Sequence, residues 1–211
     1  MTNEEIEEQY KKTGWGSPLA VPASVFTIYS FLCFFQCCGF GSAGDTTTSL
    51  SFGIIQVILF IGFFTGSLVM IRRGEQMGGQ IFMIFAIAFG GVGGVSNICA
   101  YCAAQGMFAY DPFMFGVVNL TIGLYLLFMA PTYIHGDIVA LLANIMPTIG
   151  LLLFGITGMG LCPAGATSAL LYAAGVVFLF CGLGGFVTTV NALNDGVSHL
   201  PTGPVLFPAK K

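Results

Sequence analysis

The stretch LSFGIIQVILFIGFFTGSLVMI, residues 50–71, closed by Arg72, Arg73 and Gly74, decides the fold. Its roughly 22 uncharged residues, wound at about 1.5 Å per residue, cross the roughly 30 Å hydrocarbon core of a bilayer. The stretch therefore reads as a transmembrane helix. The paired arginines stand in a short hinge before the next apolar run, where positive charge is biased to the cytoplasmic side, and so orient every other span.

Composition agrees with that reading. The chain is 56% hydrophobic and 7% charged, against about 25% charged residues in an average soluble domain. The polar surface a soluble domain of this size requires is missing. The net charge of −3 comes mainly from Glu4, Glu5, Glu7 and Glu8 and says little about partners. A nucleic-acid partner is not expected; the lipid bilayer is. The acidic start and the lack of a short apolar segment before a small-residue cleavage site argue against a signal peptide, so the first span is expected to direct insertion.

Six spans follow from the apolar runs: 21–40, 50–71, 77–100, 113–132, 138–159 and 169–193. The chain is thus expected to be an all-α membrane protein of six transmembrane helices. Its parts would be a cytoplasmic N-terminal tail (1–15), a six-helix domain (16–193) and a cytoplasmic C-terminal tail (194–211). Pro18 and Pro22 fall at or before the first turn of span one, where a missing N–H costs least. Residues 101–112 read as an external loop, and Pro147 is expected to kink span five. Trp15 is a candidate interfacial anchor. All six Lys and Arg (Lys11, Lys12, Arg72, Arg73, Lys210 and Lys211) lie on the face that carries both termini and the hinges after spans two and four. By the positive-inside rule that face is cytoplasmic, which suits the plasma membrane.

No Asp, Glu, Lys, Arg or His lies within these spans, and such residues mark proton relays and tight ion coupling, so a pump is disfavoured. Each span instead carries a carboxamide: Gln36, Gln56, Asn97 with Gln80, Asn119, Asn144 and Asn191. A carboxamide facing lipid tails is costly, so all are expected to point inward. Two roles remain open for them: hydrogen bonding that holds helices together, or lining a narrow uncharged pathway. Helical spacing places Gly90, Gly94, Asn97 and Tyr101 on one face of span three, and Gly184, Thr188, Asn191 and Asp195 on one face of span six. These faces, with Asn97, Tyr101, Thr188 and Asn191, are the first candidates for the pathway. Some of the 21 phenylalanines can form a dewetting constriction that passes small solutes and blocks hydrated ions.

The seven cysteines form no strong motif. Cys99 and Cys102 make a C-x-x-C pair, but zinc needs about four ligands and no histidine stands nearby, so no metal and no cofactor are expected. Cys37, Cys38, Cys99, Cys102 and Cys162 approach the external side, where a disulfide is geometrically possible, although buried free thiols are commoner. His135 and His199 are expected on the cytoplasmic face. Asn119-Leu120-Thr121 matches a glycosylation acceptor but lies inside span four. No nucleophile-base constellation and no phosphate-binding glycine loop is present, so an enzyme is not expected.

Three stretches resemble the acetate uptake transporter family, the YaaH-type acetate and succinate transporters. They are Arg72-Arg73-Gly74 with Gly78 and Phe82; Gly116-Val117, Gly123, Leu127-Phe128-Met129 and Gly136; and LNDGVSHLPTG at 193–203. The chain keeps only Pro18-Leu19 of the family's first-span signature, and Met70 stands where the family has Glu. The resemblance implies six spans and a homohexamer with one pathway per protomer. It also implies an aromatic narrowing at Phe85 in span three and near Ser24, with Phe26 close by, in span one.

The leading expectation is a channel or transporter for a small carboxylate substrate such as acetate, through a narrow uncharged pathway in each subunit. The alternatives are a channel for a small neutral solute such as urea or ammonia, and a non-conducting membrane scaffold.

Overall fold

The computed structural model describes residues 17–42, 45–194 and 199–208. The acidic N-terminal segment, Trp15, Lys11, Lys12, Asp195, Lys210 and Lys211 lie outside them. Among the described residues there are six long helices: α1 (Ala20–Cys38), α2 (Thr46–Arg72), α3 (Gln76–Ala104), α4 (Phe113–Tyr133), α5 (Ile138–Gly158) and α6 (Thr167–Leu193). Each is long and apolar enough to cross a membrane, and the protein is an all-α, six-span membrane protein.

Local chemistry sets the helix ends. α1 stops because Gly39 adopts φ +66°, a left-handed conformation that favours glycine; Phe40 N–H then returns to Phe35 C=O at 3.3 Å. α5 begins where the Asp137 carboxylate accepts from Ala140 N–H at 2.8 Å. α2 starts at Thr46, ahead of the apolar run, so the polar Thr46, Thr47, Thr48 and Ser49 extend the helix beyond the expected span.

α3 differs most from the sequence reading. It continues through Tyr101 to Ala104, residues expected to lie in a loop, and between Ala86 and Gly93 it widens into a π-helix. Glycine at 90, 91 and 93 leaves this turn without side chains to crowd it, and π segments are often found at functional sites. Two prolines lie inside helices. α5 runs unbroken through Pro147, where the Thr148 hydroxyl donates to Asn144 C=O at 2.7 Å, and α4 carries Pro131 in its last turn.

The helices close into a ring in chain order: α1 packs on α2, α2 on α3, α4 on α5, α5 on α6 and α6 back on α1, while α3 and α4 share the thinnest seam. Several of these contacts need glycine. A Cβ on Gly155 of α5 would stand 2.6 Å from Leu120 Cβ of α4, and one on Gly94 of α3 would stand 2.8 Å from Val57 Cγ2 of α2. Close backbone approach of this kind replaces the hydrophobic drive that lipid does not supply between helices.

The ring centre is filled with aromatic side chains. Phe26, Tyr29, Phe63, Phe85 and Phe178 are fully buried, and neighbouring rings pack with tilted or edge-on faces. The outer surface carries exposed apolar residues, among them Ile58, Ile61, Met114, Phe128 and Tyr172, as a lipid-facing wall should. Residues 199–208 do not hang free. Val139 N–H donates to Thr202 C=O at 3.2 Å, Val205 pairs with Asp137, and the His135 ring bonds Phe207 C=O, so this segment is strapped across the α4–α5 hinge.

Candidate functional site

Above the aromatic centre, toward the face carrying the α1–α2, α3–α4 and α5–α6 loops, the ring encloses a cavity of about 470 Å³. All six helices contribute to its wall. Its polar lining is made of uncharged groups: the carboxamides of Gln36, Gln56, Asn97 and Asn119, and the hydroxyls of Ser96, Tyr110, Thr157 and Thr167. Among the described residues, no charged one lines it.

Three of these carboxamides form a chain across three helices. Gln36 Nε2 of α1 donates to Asn97 Oδ1 of α3 at 3.3 Å, and Asn97 Nδ2 donates to Gln56 Oε1 of α2 at 2.8 Å. Asn97 Nδ2 also reaches Gly93 C=O, at 3.2 Å, on the last turn of the π segment. Gln56 is fixed further by its backbone, whose carbonyl accepts from the Tyr29 hydroxyl at 2.6 Å. Gly90 and Gly94 make the approach possible, since each faces α2, at Phe60 and at Gly53. The expected glycine-asparagine face of span three thus exists, but it is pressed on α2, and the side chain of Asn97 reaches the cavity wall from its edge.

The cavity floor is aromatic. Phe89 and Phe154 line it, and both pack on Phe178, with ring centroids 5.6 Å and 5.1 Å away. Beneath Phe89 the rings continue to Phe85 at 5.7 Å and from Phe85 to Phe26 at 5.0 Å. Phe26 and Phe85 are each 1% exposed, so this layer is shut. Past it, the Thr27 and Thr189 hydroxyls meet at 3.3 Å.

The candidates read from the sequence therefore separate into groups. Phe26 and Phe85 are brought into contact at the shut layer, and Asn97 joins the cavity wall. Tyr101 lies one turn beyond Asn97, half-buried and outside the cavity lining. Thr188 donates to Gly184 C=O at 3.0 Å within α6, and Asn191 sits at the opposite end of the ring from the cavity. There the Asn191 carboxamide is held by the Leu200 backbone: Oδ1 accepts from its N–H at 2.6 Å and Nδ2 donates to its C=O at 3.1 Å.

One expectation about a polar side chain is corrected. Gln80 points outward and is exposed, because it lies in the first turns of α3, close to the hinge and to water. All seven cysteines are free thiols, the commoner of the two states open to them. Gln36 and Gln56 were legible as inward amides, but their partnership with Asn97 joins residues 61 and 41 positions apart and has no local signal.

No protein-family model and no curated protein sequence matches this chain. Among solved structures, that of the bacterial acetate channel SatP is similar, with a TM-score of 0.64 and 18% identity over 90% of this chain and 99% of that one. The resemblance to acetate transporters read from the sequence therefore holds at the level of the fold, which the chain shares with that channel.

Proposed function

We propose that this protein is a channel or transporter for small monocarboxylates, acetate first, with one pathway through the middle of each subunit. The observation that carries the reading is the stacking of an uncharged carboxamide cavity directly on a shut layer of phenylalanines inside a closed helix ring. The carboxamides offer both donors and acceptors, which can replace water around a solute of a few heavy atoms. The aromatic layer excludes hydrated ions and would pass a small, partly apolar solute when its rings part. Likeness of fold to an acetate channel supports the same substrate class.

In this reading Asn97, Phe26 and Phe85 belong to the pathway, whereas Tyr101, Thr188 and Asn191 stand at its margins. The subunits assemble as homohexamers in the plasma membrane, with the termini in the cytoplasm and the cavity opening outward. The uncharged lining also suits urea or ammonia. Uptake by proteoliposomes decides between these solutes: labelled acetate should enter faster than urea and ammonia, and faster still at acid pH, where more of it is un-ionised. With no Asp, Glu, Lys, Arg or His among the described residues that line the cavity, urea uptake should show no matching rise. Acetate uptake no faster than in protein-free liposomes would overturn the proposal.

A further inference from the structure

A second cavity, of about 460 Å³, lies on the outside of the ring along the thin α3–α4 seam. Phe60, Ile87, Val95, Met114 and Val118 wall it, and Val95 and Met114 are 55% and 73% exposed on the lipid-facing surface. Its inner end is formed by Ser96, Tyr110 and Phe115, the same three residues that line the central cavity. The two spaces are therefore neighbours across one layer of side chains. The Ser96 and Tyr110 hydroxyls hydrogen-bond each other across that layer, and the Phe115 ring stands beside them.

We propose that this layer is a lateral gate, through which uncharged solutes dissolved in the bilayer enter the central cavity from the side. The solute class follows from the walls. The groove is apolar along its length, and its one charged residue, Asp111, stands just before α4, where the chain leaves the bilayer. An ion or an anionic headgroup would gain nothing there. An un-ionised weak acid or alcohol with an apolar body fits: its body lies along Val95 and Met114, and its hydroxyl exchanges for the Ser96–Tyr110 bond. A lone hydroxyl pair is a weak latch, since the incoming hydroxyl replaces the bond it breaks. This inference rests on the geometry of the two cavities and does not require that acetate crosses the aromatic layer.

The native thiols provide the test. Cys99 lines the lateral groove and Cys37 the central cavity. Proteoliposomes holding the intact chain are treated either with a long-chain N-alkylmaleimide dissolved in the bilayer or with a sulfonated maleimide confined to the outer water, and labelled cysteines are mapped by mass spectrometry. The alkyl reagent should label Cys99 and, through the gate, Cys37. Val95→Trp fills the groove and should slow alkyl labelling of Cys37 about tenfold, a change of about 1.4 kcal/mol in barrier, without slowing the sulfonated reagent at the same thiol. Ser96→Ala removes the latch and should speed alkyl labelling. Alkyl labelling of Cys37 that is absent, or that Val95→Trp leaves unchanged, overturns the proposal, as does a parallel loss with both reagents. Because labelling needs no acetate flux, failure here and failure of the transport proposal are separate results.

Discussion

Asn97 donates its side-chain N–H to the Gln56 carboxamide oxygen across 2.8 Å, joining α3 to α2 at the wall of the central cavity. With Gln36 on its other side, Asn97 is the middle member of a chain that spans three helices. A middle member has two duties, holding the helices in register and presenting polar groups to a solute.

Asn97→Leu keeps the volume and removes both. Gln36 and Gln56 each lose a partner, so the variant should be destabilised by about 1–3 kcal/mol. The same loss of polar stabilisation in the pathway should lower acetate flux by about five- to hundredfold per assembled protein. Thermal melting and proteoliposome flux, normalised to assembled protein, separate the effects. Lower stability with unchanged normalised flux would leave Asn97 a structural residue only.

Phe85→Ala tests the shut layer. Phe85 packs on Phe26 at 5.0 Å and on Phe89 at 5.7 Å, and is almost wholly buried. Its removal should cost about 3–5 kcal/mol of stability, the usual range for emptying a buried aromatic site. It should also widen the narrowest part of the pathway, so the uptake of a four-carbon acid relative to acetate should rise. An unchanged ratio in folded protein would move the selectivity elsewhere.

The fold was legible because lipid imposes a simple rule. An apolar run as long as 50–71 has little choice but to cross the bilayer, since every backbone polar group must be paired within it. The site was only partly legible. Asn97 announced itself as a carboxamide in an apolar helix, but its partners are fixed by how α1, α2 and α3 pack, which no local pattern encodes. The π turn at Ala86–Gly93 escaped for a related reason: glycine permits that turn without requiring it. At Asn191 periodicity shows only an inward face, and it carries no sign that the chain nine residues later returns to take both of its hydrogen-bonding groups.

Asn191→Leu should therefore release the strap. Both hydrogen bonds to Leu200 would be lost, at about 0.5–1.5 kcal/mol each. Hydrogen exchange should quicken at Leu200, Thr202 and Val205, while acetate flux per assembled protein should stay near the original value. A flux loss as large as that of Asn97→Leu would instead return Asn191 to the pathway.

The last prediction contrasts two glycines of the same π segment. A Cβ on Gly93 would stand 2.9 Å from Ala88 C=O and 3.2 Å from Gln56 Nε2, whereas one on Gly91 would meet only Phe60 Cε2, at 4.0 Å. Alanine has the higher helix propensity by about 1 kcal/mol, so Gly91→Ala should be neutral or mildly stabilising. Gly93→Ala gains the same propensity but forces the π turn and Gln56 to shift, and Gln56 is the acceptor of the Asn97 bond. Its melting temperature should fall below that of Gly91→Ala, and its flux per assembled protein should fall with it. The propensity term cancels in the comparison, which leaves the space beside Gln56 as the difference between the variants. Equal melting temperatures and equal flux in the two would mean that neither the π turn nor the Gln56 position depends on the missing side chain at Gly93.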